Sequence, residues 1–299
     1  MPYLNVAADG QQPTNIFYTD RGQGRPVLLS HGWPYSSAMF EYQVNVLLRE
    51  GFRCIAYDRR GFGRSDQPGS GYDYDTLTDD LAKLIEHLDL REVTLLGFSM
   101  GGGEVARYFT RHGGKGAVQA VLVSAVTPSM EKTADNPDGV PQKTFDEMMK
   151  GMLKDRQHFL TGFQKDFFGY GMLSSPLSDE MFAHFQNVAN MASGYATQKC
   201  AEAFATTHFE DDCRAISVPT LIIHGKEDQT VPIATAGDRA AKLVPDNIYH
   251  AYDGEPHGLF YTARDKFNTD LVTFLRSYHG GPAATQTGNS AEVKPESYV

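Results

Sequence analysis

The chain has 299 residues, with 27 Lys plus Arg against 37 Asp plus Glu and a formal charge of -10. A chain of this length can bury roughly three quarters of its unfolded surface, and α/β folds often reach this size as one unit, so no disulfide or structural metal is needed. The acidic balance disfavours nucleic acid and anionic membrane as partners, since both need basic surface, and 41% hydrophobic with 21% charged residues excludes wholesale disorder. The N-terminus has no basic segment followed by an apolar one, so no signal peptide is expected. Short β-branched or aromatic stretches predict strands over 16–19, 27–30 and 53–57, with a helix over 37–49 between the last two. A helix over 74–88, a strand over 93–96, a helix over 102–112 and a strand over 118–124 continue the alternation. The glycine-rich helix is expected because Val105, Tyr108 and Phe109 recur at three-to-four spacing.

The alternation breaks between 125 and 216, where Met- and Phe-rich helical patterns carry no strand signal. It resumes with strands over 220–224 and 248–252 and helices over 233–243 and 265–278. Strand–helix–strand order implies right-handed crossovers, a mostly parallel sheet covered on both faces, and ligands beyond the strands' carboxyl ends. The expected division is a core from 1–125 and 216–279, a helical cap insertion over 126–215 laid across the ligand-binding edge, and a disordered tail over 280–299. In the insertion, Phe159, Phe163 and Phe167 fall at four-residue steps; they read either as its own core or as the wall of an apolar acyl or aryl pocket. The apolar stretch 117–126 contains Gln119 and falls far short of the roughly 20 residues a membrane helix needs. Cys54, Cys200 and Cys213 are too few and too scattered for a disulfide framework or zinc site, Cys54 reading as a buried inert thiol; a cytoplasmic protein of a reducing compartment is expected.

The strongest motif is Gly97-Phe98-Ser99-Met100-Gly101. A strand precedes it and a helix follows, the setting of a nucleophile elbow. A serine hydroxyl is a poor nucleophile near neutral pH and needs a base. In the chain order expected for such an elbow an acid comes next, then a histidine. Asp228 lies just past the strand over 220–224, and His257 lies after the last strand, which makes them the expected acid and base. Glu227 is a rival acid, because one residue of register decides which carboxylate faces the imidazole. Of the ten histidines, His31 and His224 also sit at strand ends and read as loop braces; His112, His158 and His250 read as surface or satisfied core residues. The oxyanion donors are expected to be the backbone N–H of Met100 and of Trp33, the latter in the loop after the strand over 27–30. The Trp33 side chain walls the pocket or merely packs, and Pro34 biases Trp33 toward extended dihedrals.

These residues together resemble the α/β-hydrolase superfamily and, within it, the bacterial cofactor-free (non-haem) chloroperoxidases and aryl esterases. The resemblance spans about residues 3 to 278 and rests on His31-Gly32-Trp33-Pro34, Asp58-Arg59-Arg60-Gly61-Phe62-Gly63-Arg64-Ser65-Asp66, Gly97 to Gly103 and Pro256-His257-Gly258. It implies an α/β-hydrolase fold, with a mostly parallel eight-stranded sheet flanked by helices and a helical cap. It also implies a Ser99–Asp228–His257 carboxylesterase for small apolar or aryl esters or lactones, with Trp33, Pro34 and Phe163 at the pocket. Water or hydrogen peroxide would accept the acyl group; in the second case a peracid forms and oxidises halide, and Pro34 after the oxyanion-loop Trp favours that activity. The resemblance implies that the Asp58–Asp66 loop braces the backbone near the site; anion binding is the alternative reading of its charges. No cofactor or metal is expected, since G-x-x-x-x-G-K-[ST], H-E-x-x-H and a clustered Cys/His set are absent from the sequence. A homo-oligomer is within expectation. Two other functions compete: C–C bond hydrolysis or other non-ester chemistry with the same triad, and ligand binding under the cap without catalysis. Ser99 in place of Asp counts against the dehalogenase and epoxide-hydrolase branch.

Overall fold

Nearly continuous apolar runs build the centre of the sheet. Strands β3 (Pro26–Ser30), β5 (Val93–Phe98) and β7 (Thr220–Gly225) are buried along their whole lengths, as strands covered on both faces must be. The structure is a computed structural model that describes residues 2–6, 13–171 and 174–279; the tail expected over 280–299 lies outside the described residues. The remaining strands are β1 (Tyr3–Asn5), β2 (Asn15–Arg21), β4 (Arg53–Tyr57), β6 (Ala117–Val123) and β8 (Asn247–Tyr252). Among the described residues these eight form one sheet in the order β1-β2-β4-β3-β5-β6-β7-β8. Only the pairs β1–β2 and β2–β4 are antiparallel, so the sheet is mostly parallel, with β5 beside β3 and β6 at its centre.

Side chains alternate between the faces with the period of a strand. Val27, Leu29, Leu96 and Phe98 join one buried cluster, and Leu28, Val93 and Leu95 the other. The first face is covered by α1 (Glu41–Arg49) and α10 (Arg264–Arg276) through Leu47, Leu271 and Leu275. The second is covered by α2 (Tyr74–His87), α3 (Met100–His112) and α8 (Gly237–Leu243) through Leu81, Leu84, Val105 and Ala240. Each of these leucine and valine side chains, fully buried, contributes about 1.5–3 kcal/mol.

Between β6 and β7 lie α4 (Gln142–Phe167), α5 (Asp179–Asn190), α6 (Gly194–Thr206) and α7 (Glu210–Ala215). Helix α4 is broken at Asp155 (φ -158°, ψ 91°), whose carboxylate accepts the His158 amide at 3.0 Å and so caps the second half. Ser178 and Ser193 cap α5 and α6 in the same way. Helix α7 lies against α3 and places Cys213 in the second-face cluster, on the other side of the sheet from the first-face cluster that holds the buried side chains of α4 to α6. A short helix α9 (Leu259–Thr262) precedes α10. All three cysteines are buried and unpaired, and burial pushes each thiol up to about 12.

Candidate active site

The carboxyl ends of β3, β5, β7 and β8 open on one edge of the sheet, and the loops that leave them carry the expected residues. Ser99 sits between β5 and α3 with φ +53° and ψ -119°, a conformation sparsely populated for a side-chain-bearing residue and costing on the order of 1–3 kcal/mol. The surroundings hold it there. Its amide donates to the Val123 carbonyl at 2.8 Å, and its carbonyl accepts from Gly102 and Val126 at 2.9 and 3.2 Å. The flanking glycines are required sterically: a Cβ on Gly97 would lie 2.3 Å from the Gly101 oxygen, and one on Gly101 would lie 2.3 Å from the Ser30 oxygen.

His257 receives this hydroxyl. Ser99 Oγ lies 2.9 Å from His257 Nε2, and His257 Nδ1 lies 2.6 Å from Asp228 Oδ2, so the imidazole carries its proton on Nδ1 and accepts from the serine. The ring is clamped between Phe98 and Phe167, with centroids 5.0 and 4.7 Å away. Asp228 Oδ1 accepts the Thr230 and Val231 amides at 2.9 and 2.7 Å. His224 Nε2 donates to the Val231 carbonyl at 2.8 Å and lies 3.2 Å from Asp228 Oδ2. Burial alone would raise the Asp228 carboxyl, but the His257 charge and the hydrogen bonds from His224 and His257 outweigh it and hold the group at about 2. Asp228 is therefore an anion under all ordinary conditions. Glu227 is exposed and has turned away, its amide bonded to the Glu255 carbonyl.

The loop after β3 runs against the elbow: a Cβ on Gly32 would lie 3.2 Å from Ser99 Cβ. Neither the Trp33 nor the Met100 amide has a backbone acceptor among the described residues. A buried network ties the two together. The Arg59 guanidinium donates to the His31 carbonyl at 2.6 Å and pairs with Glu104 of α3, which also accepts from Tyr57. His31 accepts the Arg59 amide at its Nε2, 2.9 Å away; burial, helped by the Arg59 charge, pushes its pKa well below the usual histidine value and keeps it neutral. Elsewhere in the 58–66 loop, Asp58 accepts from Ser37 and Arg64, Arg60 pairs with Asp80 at 2.6 Å, and Asp66 accepts the Asn15 amide at 2.8 Å. These side chains are spent on protein partners, which is the bracing arrangement and not an anion site.

A cavity of about 350 Å³ lies over Ser99. Trp33 and Phe163 line it, together with Val126, Phe145, Phe204 and Val231. Trp33 does both things its side chain could do: it faces the cavity, and its Nε1 donates to the Thr197 carbonyl of α6 at 3.0 Å. The three spaced phenylalanines divide. Phe159 and Phe163 line the cavity, whereas Phe167 is not among its walls and packs on His257, Phe98 and Tyr35. Pro34 differs from expectation: it is buried but does not line the cavity, because the chain turns back there, Tyr35 N–H donating to the Gly32 carbonyl at 3.0 Å. His224 braces the loop through the Val231 carbonyl, as its place at a strand end suggested, but its approach to Asp228 and the part played by the residues just after Asp228 had no such signal; adjacency to the acid was the only one available for Thr230 and Val231. His112 and His250 pair with Asp79 and Asp270, and His158 is exposed.

Comparison with known proteins gives consistent matches. A sequence model of the alpha/beta hydrolase fold family matches residues 25–263. A non-heme haloperoxidase of Rhodococcus erythropolis is 41% identical over 278 residues, covering 93% of this chain and all of that one. A bifunctional esterase/perhydrolase of Acinetobacter calcoaceticus is 38% identical, with 88% and 96% covered. The crystal structure of a bromoperoxidase from Bacillus anthracis superposes with a TM-score of 0.88 at 42% identity, covering 92% of this chain and 99% of that one.

Proposed function

The chain belongs to the α/β-hydrolase family, and from that premise we propose that it is a serine carboxylesterase for small apolar or aryl esters that also transfers acyl groups to hydrogen peroxide. The observation that carries this reading is the chain of contacts Ser99–His257–Asp228, at 2.9 and 2.6 Å, on the floor of an apolar cavity. Ser99 Oγ attacks the ester carbonyl while His257 Nε2 takes its proton. The Trp33 and Met100 amides hold the oxyanion, and each such donor is worth about a hundredfold to a thousandfold in rate. His257 then protonates the departing alcohol, leaving an acyl-enzyme. Water or hydrogen peroxide gives a proton to His257, attacks the acyl carbon and releases acid or peracid, and the proton returns to Ser99. A peracid leaving the site oxidises halide by two electrons and reverts to the carboxylic acid, a route to haloperoxidase activity.

The division into a core and a cap over 126–215 belongs to the same proposal; the cavity, whose walls come both from strand-end loops and from α4 and α6, supports it for those helices, while α7 at the end of that span packs on α3 of the core. We place the protein in the cytoplasm, where its three buried thiols would stay reduced. Among the described residues, no helix is long and apolar enough to cross a membrane. The test is hydrolysis of p-nitrophenyl acetate. Ser99→Ala is expected to lower kcat by at least about 10⁴-fold, and a serine-directed phosphonate should abolish wild-type turnover; activity retained by Ser99→Ala overturns the nucleophile assignment. Peroxide-dependent bromination of monochlorodimedone should require added acetate, and bromination without any carboxylic acid overturns the peracid route.

A further inference from the structure

The cavity that holds Ser99 also holds two thioethers. Among the described residues, Met130 and Met148 are the methionines that line it. Met130 is only 3% exposed, and Met148, on the first half of α4, is partly buried. An unbranched thioether suits an apolar wall of irregular shape. It is also readily oxidised to the sulfoxide, a polar and chiral group. Thiols compete poorly here: the three cysteines lie outside the cavity walls, and burial keeps them protonated.

Resting on the perhydrolase reading above, we infer that Met130 and Met148 are sites of turnover-dependent sulfoxidation, through which the enzyme's own peracid limits its activity. The peracid formed at Ser99 transfers its terminal oxygen to Sδ. The O–O bond breaks and an S–O bond forms; sulfur loses two electrons, the peracid gains them, and the carboxylic acid departs with the proton. Hydrogen peroxide is the oxidant consumed, and the acid can be activated again at Ser99. Each sulfoxide puts a strong dipole into a wall that binds apolar acyl groups, so affinity for ester falls as oxidation proceeds.

Met191 supplies the internal comparison. It is 47% exposed and lies away from the cavity, so oxidant arriving from bulk solvent meets it first, whereas oxidant formed at Ser99 meets Met130 and Met148 first. The order of oxidation thus reports where the oxidant was made. The experiment treats the full chain with hydrogen peroxide and acetate, with peroxide alone, and as Ser99→Ala with both. Sulfoxide is quantified at each methionine by peptide mass spectrometry, and peracid is measured in parallel by halide oxidation. Wild type with both reagents should show several-fold more sulfoxide at Met130 and Met148 than at Met191, and the two control arms should reverse that order. Peracid production with Met191 oxidised first in every arm overturns this inference and leaves the perhydrolase reading standing. No peracid from wild type overturns that reading, and this inference with it. Met130→Leu/Met148→Leu, a near-isosteric pair of changes, should lose esterase activity several-fold more slowly during peroxide turnover, relative to its own starting rate. In wild type KM should rise before kcat falls; equal loss in the two proteins overturns the self-limiting role.

Discussion

At the scale of single residues, Asp228 gathers three donors on one carboxylate, two amides from its own loop and His257, with the His224 imidazole 3.2 Å away. Its neighbour Glu227 is exposed. Sequence spacing favoured Asp228 and kept Glu227 as its rival, because one residue of rotation past the end of β7 exchanges the inward and outward positions. Asp228→Asn should therefore lower kcat by about 10⁴-fold, by letting His257 take the wrong tautomer, while Glu227→Gln should leave esterase kinetics near wild type. Comparable losses in both would refute the assignment. Acid stability gives a second prediction. The carboxyl is held down from 3.8 to about 2, so its contribution to stability is complete above the unfolded value and is lost as pH falls through the folded one. The gap in urea midpoint between wild type and Asp228→Asn should be constant above about pH 5 and close between about pH 4 and 2. A gap that does not change over that window would count against the depressed value.

At the scale of elements, the site depends on how α3 is held against the ends of β3 and β4. Arg59, after β4, reaches both the His31 carbonyl after β3 and Glu104 on α3, and all three residues are essentially closed to solvent. This joins the two stretches that carry the Trp33 and Met100 amides. Glu104→Gln leaves a buried guanidinium uncompensated and should cost about 3–5 kcal/mol in chemical denaturation. Replacing both partners, as Arg59→Met/Glu104→Leu, should recover most of that stability. It should not recover kcat, because the two amides proposed as oxyanion donors have lost their common tie; full recovery of kcat would show that the pair serves stability alone. Several element boundaries were beyond local pattern. The helix expected over 233–243 begins only at Gly237: the Thr235 and Ala236 amides bond to carbonyls three residues back, and Ala236, at φ -121° and ψ -87°, is not helical. The helix expected over 37–49 opens with a 3-10 turn at Ser37–Phe40, where Asp58 draws in the Ser37 amide. Strand β1 has three residues, too few for any periodicity to register.

At the scale of the whole molecule, specificity lies in the volume enclosed between the strand-end loops and the inserted helices. Its walls are mainly apolar, so each methylene added to the acyl chain should gain about 0.8 kcal/mol, or about fourfold in kcat/KM, until about 350 Å³ is filled. A p-nitrophenyl ester series from acetate upward measures this, and the slope should reverse once the chain outgrows the cavity. A flat response would mean that the acyl group binds elsewhere. Phe163→Ala enlarges the cavity and should move the optimum to longer chains.

The order of strands and helices, the elbow around Ser99 and the chain order of acid and base were legible in the sequence, because each is written in short-range patterning: alternation of apolar residues, glycines where backbones crowd, and a carboxylate one loop past a strand. Other features rest on contacts between residues far apart along the chain. The sequence favoured Asp228, but neither the turning away of its rival Glu227 nor the second imidazole beside that carboxylate is a local property. The same holds for Phe167 leaving the pocket to clamp His257, and for Pro34 turning away from it. In each case the direction of a side chain depends on what packs against it. That is settled when four strand ends and an insertion of about ninety residues close on one another, and it has no counterpart in local spacing.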